Sequence, residues 1–281
     1  MKKEGPYFSE RNKGDSVKVG FIGVGNMGGA ILNGYLFKSG ERKADILIFD
    51  TDPEKTAKIQ GAGCYICKSI NELVLRSDMI MIGVKPNVFE QVLLEITESY
   101  NSKKVLISMA AGISISFIES IIGGNAKIIR IMPNTPALVC EAMTAICRNS
   151  NITDEDMNKA FEILTSVGKV REIPEELIHC SIGVSGSSPA YTYMYINALA
   201  EAAVENGMNK EQALIFAAQS VMGAAKMVLE TGAGPVQLRI NVCSPGGTTI
   251  EAVHKLQEYE FEEIVKAGFQ AAVEKSKIMT K

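Results

Sequence analysis

The sequence predicts an α/β fold, in which an N-terminal Rossmann domain with a doubly wound sheet precedes an all-α C-terminal domain. A short apolar run, 17–22, passes through a glycine-rich turn into a helical pattern. Apolar runs then alternate with helical patterns up to Ile173, as in parallel strands joined by right-handed crossover helices. From Pro174 onward only helical patterns follow, and residues 191–206 are small or apolar almost all round.

The first strand and turn carry a dinucleotide-binding pattern. In the G-x-G-x-x-G reading, Gly23 makes the tight turn, Gly25 lets the backbone approach a pyrophosphate, and Gly28 permits close packing of helix on strand. Three spaced glycines also arise in ordinary strand-to-helix turns. The next apolar run ends on Asp50, roughly 20 residues further on, where a carboxylate would bind a ribose diol. This context favours a nicotinamide cofactor.

The later strands extend the same domain. The continuous apolar run 77–86 predicts a strand buried on both faces, and 104–108, 127–132, 143–148 and 168–173 predict four more. Helices are predicted at 88–100, 116–122 and from the Thr153 cap to 167. Because ligands bind beyond the carboxyl ends of parallel strands, one rim is expected to gather 23–28, Asp50, 84–86, 110–112 and 134–135.

Composition bounds the protein's class and partners. The chain has 281 residues, 46% hydrophobic and 22% charged, which excludes global disorder. A net charge of -3 gives no basic face for nucleic acid. The apolar runs 79–84 and 128–132 are far shorter than the ~20 residues that span a bilayer, so no membrane is expected. We predict a flexible tail at 1–15, a Rossmann domain at 16–173 and a helical domain at 174–281.

Six cysteines, at 64, 67, 140, 147, 180 and 243, are scattered along the chain. Only Cys64 and Cys67 form a C-x-x-C pair, and in a strand their thiols would point to opposite faces. A single pair without a nearby histidine is a poor zinc site, so no metal is predicted. Incidental thiols are typical of a reducing compartment, and we predict a cytoplasmic protein.

The C-terminal half contains two glycine- and serine-containing loops, 183–191 and 241–249, beside predicted helices at 191–206, 209–229, 249–257 and 261–279. In the second loop, Pro245 to Gly247 stop one element, and Thr248 or Thr249 caps the next helix. Successive free N–H groups there would bind a small carboxylate, and the hydroxyl of Ser244 would reach a substrate heteroatom. Ordinary caps and turns are the alternative interpretation.

These segments together are similar to one family. The sequences FIGVGNMG (21–28), VKP (84–86), AAG (110–112), MPNTP (132–136), VSGSSPAY (184–191) and CSPGGTTIE (243–251) resemble pyrroline-5-carboxylate reductases, in the same order from about residue 17 to 277. The resemblance implies reduction of 1-pyrroline-5-carboxylate to L-proline with NADH or NADPH, the final step of proline synthesis. It also implies a homodimer through the C-terminal helices, often within larger rings.

The resemblance assigns residues to both ligands. It puts the substrate carboxylate on the backbone around Gly246, and the Thr249 hydroxyl, as orienting group or proton relay, at the ring nitrogen; Thr249 is the predicted catalytic residue. The predicted substrate-binding residues are Glu175, Ser185, Ser187, Ser244, Gly246, Gly247, Thr248 and Thr249. The predicted cofactor-binding residues are Ile22, Gly23, Val24, Gly25, Asn26, Met27, Gly28, Asp50, Thr51, Val84, Lys85, Pro86, Ala111, Asn134 and Asn241.

The residues after the second strand bear on the choice between NADH and NADPH. Asp50 and Asp52 would repel a 2′-phosphate, and no arginine lies near enough in sequence to neutralise it, so NADH is predicted to be preferred. The two histidines, His179 and His254, are interpreted as structural or surface residues rather than acid catalysts. A β-hydroxyacid dehydrogenase would need a catalytic lysine, and Lys226 lies in a helical pattern. The alternative that is not an enzyme is a dinucleotide-binding regulator that catalyses no reaction.

Overall fold

The structure, a computed structural model, describes residues 17–39 and 45–281. The predicted tail at 1–15 and the first residue of the predicted Rossmann domain lie outside the described residues. The described chain forms two compact units. The first ends at Gly186 and resumes at Val273, and the second is Ser187–Ala272. The predicted boundary at 173/174 differs from this division, since 174–186 and 273–281 group with the first unit.

The first unit contains one eight-stranded sheet in the order β3-β2-β1-β4-β5-β6-β7-β8. Its first six strands follow the Rossmann order 3-2-1-4-5-6 and are mutually parallel, which confirms the predicted fold class. The strands are β1 (Val19–Ile22), β2 (Ile46–Phe49), β3 (Tyr65–Ile66), β4 (Met79–Ile82), β5 (Val105–Ser108), β6 (Lys127–Met132), β7 (Ala142–Arg148) and β8 (Gly168–Glu172).

The last two strands depart from the predicted parallel sheet. β7 runs antiparallel to β6, with Ile131 opposite Ile146, and β8 pairs parallel to β7, so both run opposite to the first six strands. The connection 133–141 contains only a 3-10 turn, Thr135–Val139. A parallel crossover needs a dozen or more residues, so this short connection reverses the strand direction.

Helices cover both faces of the sheet because its strands are apolar on both sides. Phe21 and Met81 enter one buried cluster, whereas Ile22 and Ile82, the next residues, enter the other. Cys64 and Cys67 likewise join opposite clusters, which confirms that their thiols point apart. The helices of this unit are α1 (Asn26–Ser39), α2 (Pro53–Gln60), α3 (Ile70–Arg76), α4 (Pro86–Thr97), α5 (Ile115–Ile122), α6 (Asp154–Leu164) and α7 (Ile178–Ser181).

The end of the chain closes the first unit. The backbone N–H of Lys281 donates to the Gly112 carbonyl at 2.8 Å, and Ser114 Oγ donates to the Lys281 carbonyl at 2.7 Å. A Cβ at Gly112 would lie 2.6 Å from the Met279 carbonyl, so only glycine fits beneath this segment. The loop 110–112 is therefore held by residues that arrive more than 160 positions later in the chain.

The second unit is all-helical and little buried. It contains α8 (Ser188–Glu205), α9 (Lys210–Thr231), α10 (Pro235–Val242), α11 (Thr248–Glu258) and the start of α12 (Phe261–Met279). No residue of α8, α10 or α11 is buried, and only Ala213 and Ala217 are buried in α9. Among the described residues, α9 alone is long and apolar enough, by length and composition, to cross a membrane. The apolar runs 79–84 and 128–132, on which the expectation of no membrane rested, do not include this helix.

Two expectations about the glycine- and serine-containing segments of the C-terminal half were wrong. Residues 183–191, predicted as a loop, form a π-helical turn, Ile182–Gly186, followed by the first turn of α8. Helix α10 was not predicted at all. It begins at Pro235, whose fixed φ suits the first helical turn, and it takes in Asn241, which was assigned to a loop.

Candidate active site

The glycine turn after β1 is fixed by close backbone contacts. Gly23 has φ +85°, and its N–H donates to the Phe49 carbonyl at 2.8 Å. A Cβ at Gly28 would overlap the Gly23 carbonyl oxygen, and one at Gly83 would lie 2.7 Å from the same atom. Gly25 differs, because a Cβ there would meet no atom of the described protein within 4 Å. The backbone at Gly25 is therefore open to a ligand at the N-terminus of α1.

Helix α1 begins at Asn26, directly behind this opening. The first N–H groups of a helix have no partner within it and carry the positive end of the helix dipole. Met27 is half-buried and packs against the core, whereas Asn26 is exposed. A pyrophosphate at Gly25 would thus meet the first N–H groups of α1, so the turn fits a dinucleotide.

Asp50 has a structural role that the sequence did not reveal. Its Oδ2 accepts a hydrogen bond from the Val24 N–H at 2.8 Å, and its Oδ1 accepts one from the Asp52 N–H at 2.9 Å. The side chain is 8% exposed. Asp50 therefore connects the end of β2 to the glycine turn, in addition to any contact with a ribose.

Asp52 and Lys55 flank the same corner in more exposed positions. Asp52 is the N-cap of α2, where its Oδ1 accepts a hydrogen bond from the Glu54 N–H at 3.0 Å. That bond, followed by the Lys55 ammonium, lowers the pKa of Asp52. Lys55 Nζ lies 3.5 Å from Asp52 Oδ2 and 3.7 Å from Asp50 Oδ1. Lys55 therefore places positive charge beside both carboxylates.

The rest of the predicted rim follows neighbouring parallel strands. Thr51 is exposed in the bend after β2, and Val84 is half-buried after β4. Lys85 is exposed and occupies the N-cap position of α4, directly before Pro86. Ala111 is exposed after β5. Because β1, β2, β4 and β5 are parallel neighbours, these residues lie along one edge of the sheet, where the sequence placed them.

Asn134 also belongs to this edge, but its carboxamide is engaged within the first unit. Its Nδ2 donates to the Ser185 carbonyl at 3.0 Å, and its Oδ1 accepts from the Met143 N–H at 2.9 Å. The residue is 8% exposed. The side chain therefore joins the end of β6 to the π-helical turn. Its predicted cofactor contact stays a prediction.

Glu175 is likewise a structural partner in this unit. Its Oε1 accepts hydrogen bonds from Arg130 Nη1 and from the Ile115 N–H, both at 2.8 Å. Arg130 is 2% exposed on β6, and its Nε and Nη2 have no hydrogen-bond partner. The sequence signal was present, because Arg130 interrupts an otherwise apolar strand run. Its partner, however, lies 45 positions away and was assigned to the substrate instead.

The predicted serines of the pocket wall lie on helical turns. Ser185 Oγ donates to the Ser181 carbonyl at 2.8 Å, so this hydroxyl is used within the first unit. Ser187 precedes α8 and makes no capping hydrogen bond. Pro189 stands in the first turn of that helix. Of the two serines, Ser187 has the hydroxyl with no capping role.

The second predicted ligand site is the bend between α10 and α11. Its carbonyl at Ser244 accepts a hydrogen bond from the Gly247 N–H at 3.0 Å, and Gly246 has φ +68°, a left-handed conformation that favours glycine. Gly247 is the N-cap of α11, so the prediction that Thr248 or Thr249 would be the cap was wrong. Since glycine has no side chain, the N-terminus of α11 is uncapped and its first N–H groups are available to an anion.

The threonines at this helix start differ in exposure. Thr248 is exposed and Thr249 is half-buried, both within the first turn of α11. Asn241, at the end of α10, is exposed and accepts a hydrogen bond from Gln237 Nε2 at 2.9 Å. The bend thus offers backbone N–H groups and hydroxyls without any arginine. Such a set suits one small carboxylate with a polar heteroatom nearby.

The rival catalytic groups lack suitable surroundings. His179 Nδ1 lies 2.9 Å from Ser276 Oγ, and burial, with the charges of Arg130 and Lys277, lowers the pKa of this imidazole. A lowered pKa leaves His179 neutral near pH 7, so it is a poor acid catalyst. His254 is exposed. Lys226 is exposed on α9 and lies 3.6 Å from Glu230, as an ordinary surface pair.

Comparison with known proteins agrees with this geometry. Residues 175–279 match the family model described as pyrroline-5-carboxylate reductase dimerisation, and residues 18–112 match the one described as NADP oxidoreductase, coenzyme F420-dependent. The pyrroline-5-carboxylate reductase of Escherichia coli is 44% identical over 265 residues, which cover 94% of this chain and 98% of that protein.

Two solved structures are similar over almost their full length. The pyrroline carboxylate reductase of Plasmodium falciparum, solved with NADP bound, has a TM-score of 0.85 at 32% identity, covering 94% of this chain and 98% of that one. The enzyme of Coxiella burnetii has a TM-score of 0.89 at 32% identity, covering 95% and 100%. With the glycine turn and the uncapped α11 in place, these matches show that the chain belongs to the pyrroline-5-carboxylate reductase family.

Proposed function

We infer that the chain reduces 1-pyrroline-5-carboxylate to L-proline with a reduced nicotinamide cofactor, the last step of proline synthesis. The observation that carries this conclusion is the match to reductases over at least 92% of the chain, in organisms as distant as E. coli and Methanosarcina acetivorans. Both ligand-binding turns that the reaction needs lie inside the matched region. The regulator and hydroxyacid alternatives have no comparable support.

We propose that the first unit holds the cofactor by its backbone. The opening at Gly25 and the N-terminus of α1 suit a pyrophosphate, and Lys85 and Ala111 stand on the same edge of the sheet. A reduced nicotinamide supplies the hydride for the imine carbon when it is bound. What the chain adds is orientation, since hydride transfer depends on alignment of the two reacting rings.

We propose that the bend at the start of α11 holds the substrate. The N–H groups that follow Gly246 would bind the carboxylate, and the Thr249 hydroxyl would hydrogen-bond the ring nitrogen as orienting group or proton relay. No strong base is required, because the protonated iminium is already the electrophile. Ser187, whose hydroxyl caps nothing, and Ser244 are further candidate contacts. The helix dipole of α11 would favour the anion further.

Turnover tests this proposal directly. The purified protein is mixed with pyrroline-5-carboxylate and NADH or NADPH, and the loss of absorbance at the nicotinamide band is recorded. Thr249→Ala is expected to lower kcat/KM about 10²-fold through lost positioning, with cofactor affinity unchanged. Thr97→Ala, at an exposed helix end, serves as the matched control. Cofactor binding without turnover in the parent protein would favour the regulator instead.

We propose that NADH is preferred to NADPH. The support is the pair of carboxylates after β2, Asp50 and Asp52, which together outweigh the single charge of Lys55 beside them. A 2′-phosphate would enter a corner whose net charge is negative. The ratio of kcat/KM for the two cofactors tests the proposal, and a marked preference for NADPH would contradict it.

We propose that the protein is a homodimer through its C-terminal helices, with larger rings as a further level of assembly. The support is the dimerisation match at 175–279 and the many large apolar side chains that the second unit leaves uncovered. A monomer rarely exposes so much apolar surface. The exposed residues include Tyr193, Met194, Leu214, Ile215, Phe216 and Met222. Mass measurement by light scattering distinguishes monomer, dimer and ring.

A cytoplasmic location remains a prediction. It is supported by the six cysteines, which form no disulfide among the described residues. Burial raises the pKa of Cys67 to about 11 and that of Cys147 to about 12, so these two thiols are protonated and unreactive near pH 7. Cell fractionation with an antibody to the native protein would test the location.

A further inference from the structure

We infer that Asp52 and Lys55 determine discrimination between NADH and NADPH, whereas Asp50 organises the cofactor turn for both. This inference rests on the proposed nicotinamide function and assigns its selectivity to particular residues. In the usual Rossmann arrangement, the acid at the end of the second strand hydrogen-bonds the ribose directly. Here the three side chains differ in burial, and we assign them different roles.

Asp50 is the buried member of the group. Both of its oxygens accept backbone N–H groups, from Val24 in the glycine turn and from Asp52 in the next bend. At 8% exposure, its carboxylate is an internal brace between β2 and the pyrophosphate turn. Loss of this brace would displace the backbone at Val24, a position that every dinucleotide shares. Its effect is therefore expected on both cofactors equally.

Asp52 and Lys55 are the exposed members. Their side chains are 44% and 43% exposed, and they are neighbours on the same side of the first turn of α2. Only one oxygen of Asp52 is used by the cap, since Oδ1 accepts from the Glu54 N–H and Oδ2 faces Lys55. Lys55 can leave this weak pairing, because solvent-exposed ion pairs of this kind contribute little free energy. It is thus free to pair with an incoming phosphate.

The charges predict opposite effects for the two residues. A 2′-phosphate gains an ammonium partner from Lys55 and is repelled by Asp52, while a 2′-hydroxyl carries no charge and is affected little by either. The corner thereby admits NADPH through Lys55 and keeps NADH ahead through Asp52, because both oxygens of Asp50 already accept backbone N–H groups. Both effects should weaken as salt is added, because both side chains are exposed.

Titration of the full-length protein with NADH and NADPH, followed by nicotinamide fluorescence, tests the assignment without the imine substrate. Lys55→Met is expected to weaken NADPH about tenfold relative to NADH, the size of one charge-assisted contact. Lys55→Arg should restore the parent ratio. Asp52→Asn, which keeps a good helix cap, should raise the NADPH/NADH affinity ratio about threefold or more.

Two further variants separate selectivity from general effects. Lys58→Met removes the same charge from the exposed side of the same helix and should leave the ratio unchanged. Asp50→Asn should weaken both cofactors with a ratio within about twofold of the parent, because one amide oxygen cannot replace two carboxylate oxygens. Competition by adenosine 2′,5′-bisphosphate against 5′-AMP should follow the NADPH/NADH ratio across all variants.

The contrary outcomes are distinct. An unchanged ratio in Lys55→Met, or an equal shift in Lys58→Met, would overturn the role of Lys55. A ratio change confined to Asp50→Asn would return selectivity to the buried acid. Failure of the parent protein to bind either cofactor would overturn the proposed function itself, and with it this inference.

Discussion

The two glycine turns of the molecule differ in what surrounds them. At the turn after β1, Gly28 and Gly83 both approach the Gly23 carbonyl so closely that no side chain fits. At the bend before α11, a Cβ on Gly246 would meet no atom within 4 Å. The first turn is therefore specified by packing, whereas the second is specified by backbone conformation alone. A side chain added at the first turn should therefore clash with neighbouring atoms, whereas one added at the bend should cost only backbone strain.

The same contrast holds for the polar groups near each turn. In the first unit, Asp50, Asn134 and Glu175 each accept or donate two hydrogen bonds within the unit. At the bend, Gly247 caps α11 without a side chain. Rigid, internally satisfied groups suit the orientation of a large cofactor, and uncapped N–H groups suit capture of a small anion.

The largest effect is expected where the first unit's internal pairing is broken. Glu175→Ala leaves the Arg130 guanidinium, which is 2% exposed, without its carboxylate. We expect a loss of about 2–4 kcal/mol in the free energy of unfolding, somewhat below the range for fully buried pairs because Glu175 retains some solvent. Urea denaturation of the ligand-free protein measures it. Glu176→Ala, at the exposed neighbour, is the control, and equal losses in both would contradict the pairing argument.

A smaller effect is expected from the packed glycine itself. Gly28→Ala forces its Cβ against the Gly23 carbonyl, and we expect a loss of about 1–3 kcal/mol in the free energy of unfolding. Gly25→Ala is the matched comparison, because its Cβ meets no protein atom. That variant should keep the parent Tm and yet lose cofactor affinity about 10²-fold, since the methyl group would occupy the space of the pyrophosphate. Loss of Tm in both variants would refute the distinction.

At the bend, only a backbone cost is expected. Gly246→Ala places a side chain at φ +68° with open space around it, so the free energy of unfolding should fall by about 1 kcal/mol. KM for pyrroline-5-carboxylate should rise because the N–H groups after Gly246 lose their alignment. Gly268→Ala, inside α12 in the same unit and with open space for a Cβ, should neither lower the free energy of unfolding nor change KM. An unchanged KM for Gly246→Ala would remove the bend from the proposed substrate site.

The smallest effect concerns pH. Asp156 is partly desolvated, which alone would raise its pKa, but hydrogen bonds from Lys127 at 2.8 Å and from Thr153 outweigh this and lower the pKa below its usual value. A lowered folded-state pKa stabilises the protein above the unfolded value, and this stability is lost as the pH falls. In Asp156→Asn, the free energy of unfolding should therefore fall less steeply as the pH drops below about 5, by about 1 kcal/mol in total. A parallel acid limb in parent and variant would contradict the pairing.

Sequence patterns predicted the elements that are defined by local periodicity. The two-sided apolar run before Val84 and the alternating strands and helices led to the observed sheet, because burial on both faces leaves a continuous apolar pattern. The rim followed from topology, since the carboxyl ends of parallel strands share an edge. Thr153 was recognised as a helix cap because its capping box with Asp156 spans only three residues.

The features that the sequence did not reveal depend on distant partners or on competing signals. Arg130 and Glu175 are 45 positions apart, and Val24 and Asp50 are 26 apart, so neither hydrogen bond leaves a local pattern. Helix α10 was hidden because Pro235 and the glycines before it indicate a loop, although proline is equally at home in a first helical turn. The prediction of a threonine cap overlooked that glycine also occupies N-cap positions.

The path of the last helix has a consequence for how the molecule can be divided. The chain leaves the first unit after Gly186 and re-enters it at Val273, so the helical unit is inserted in sequence within the other. A fragment that stops at Gly186 would lack Met279 and Lys281, the residues that hold the loop containing Ala111. An autonomous nucleotide-binding module would therefore have to contain both separated pieces of the first unit.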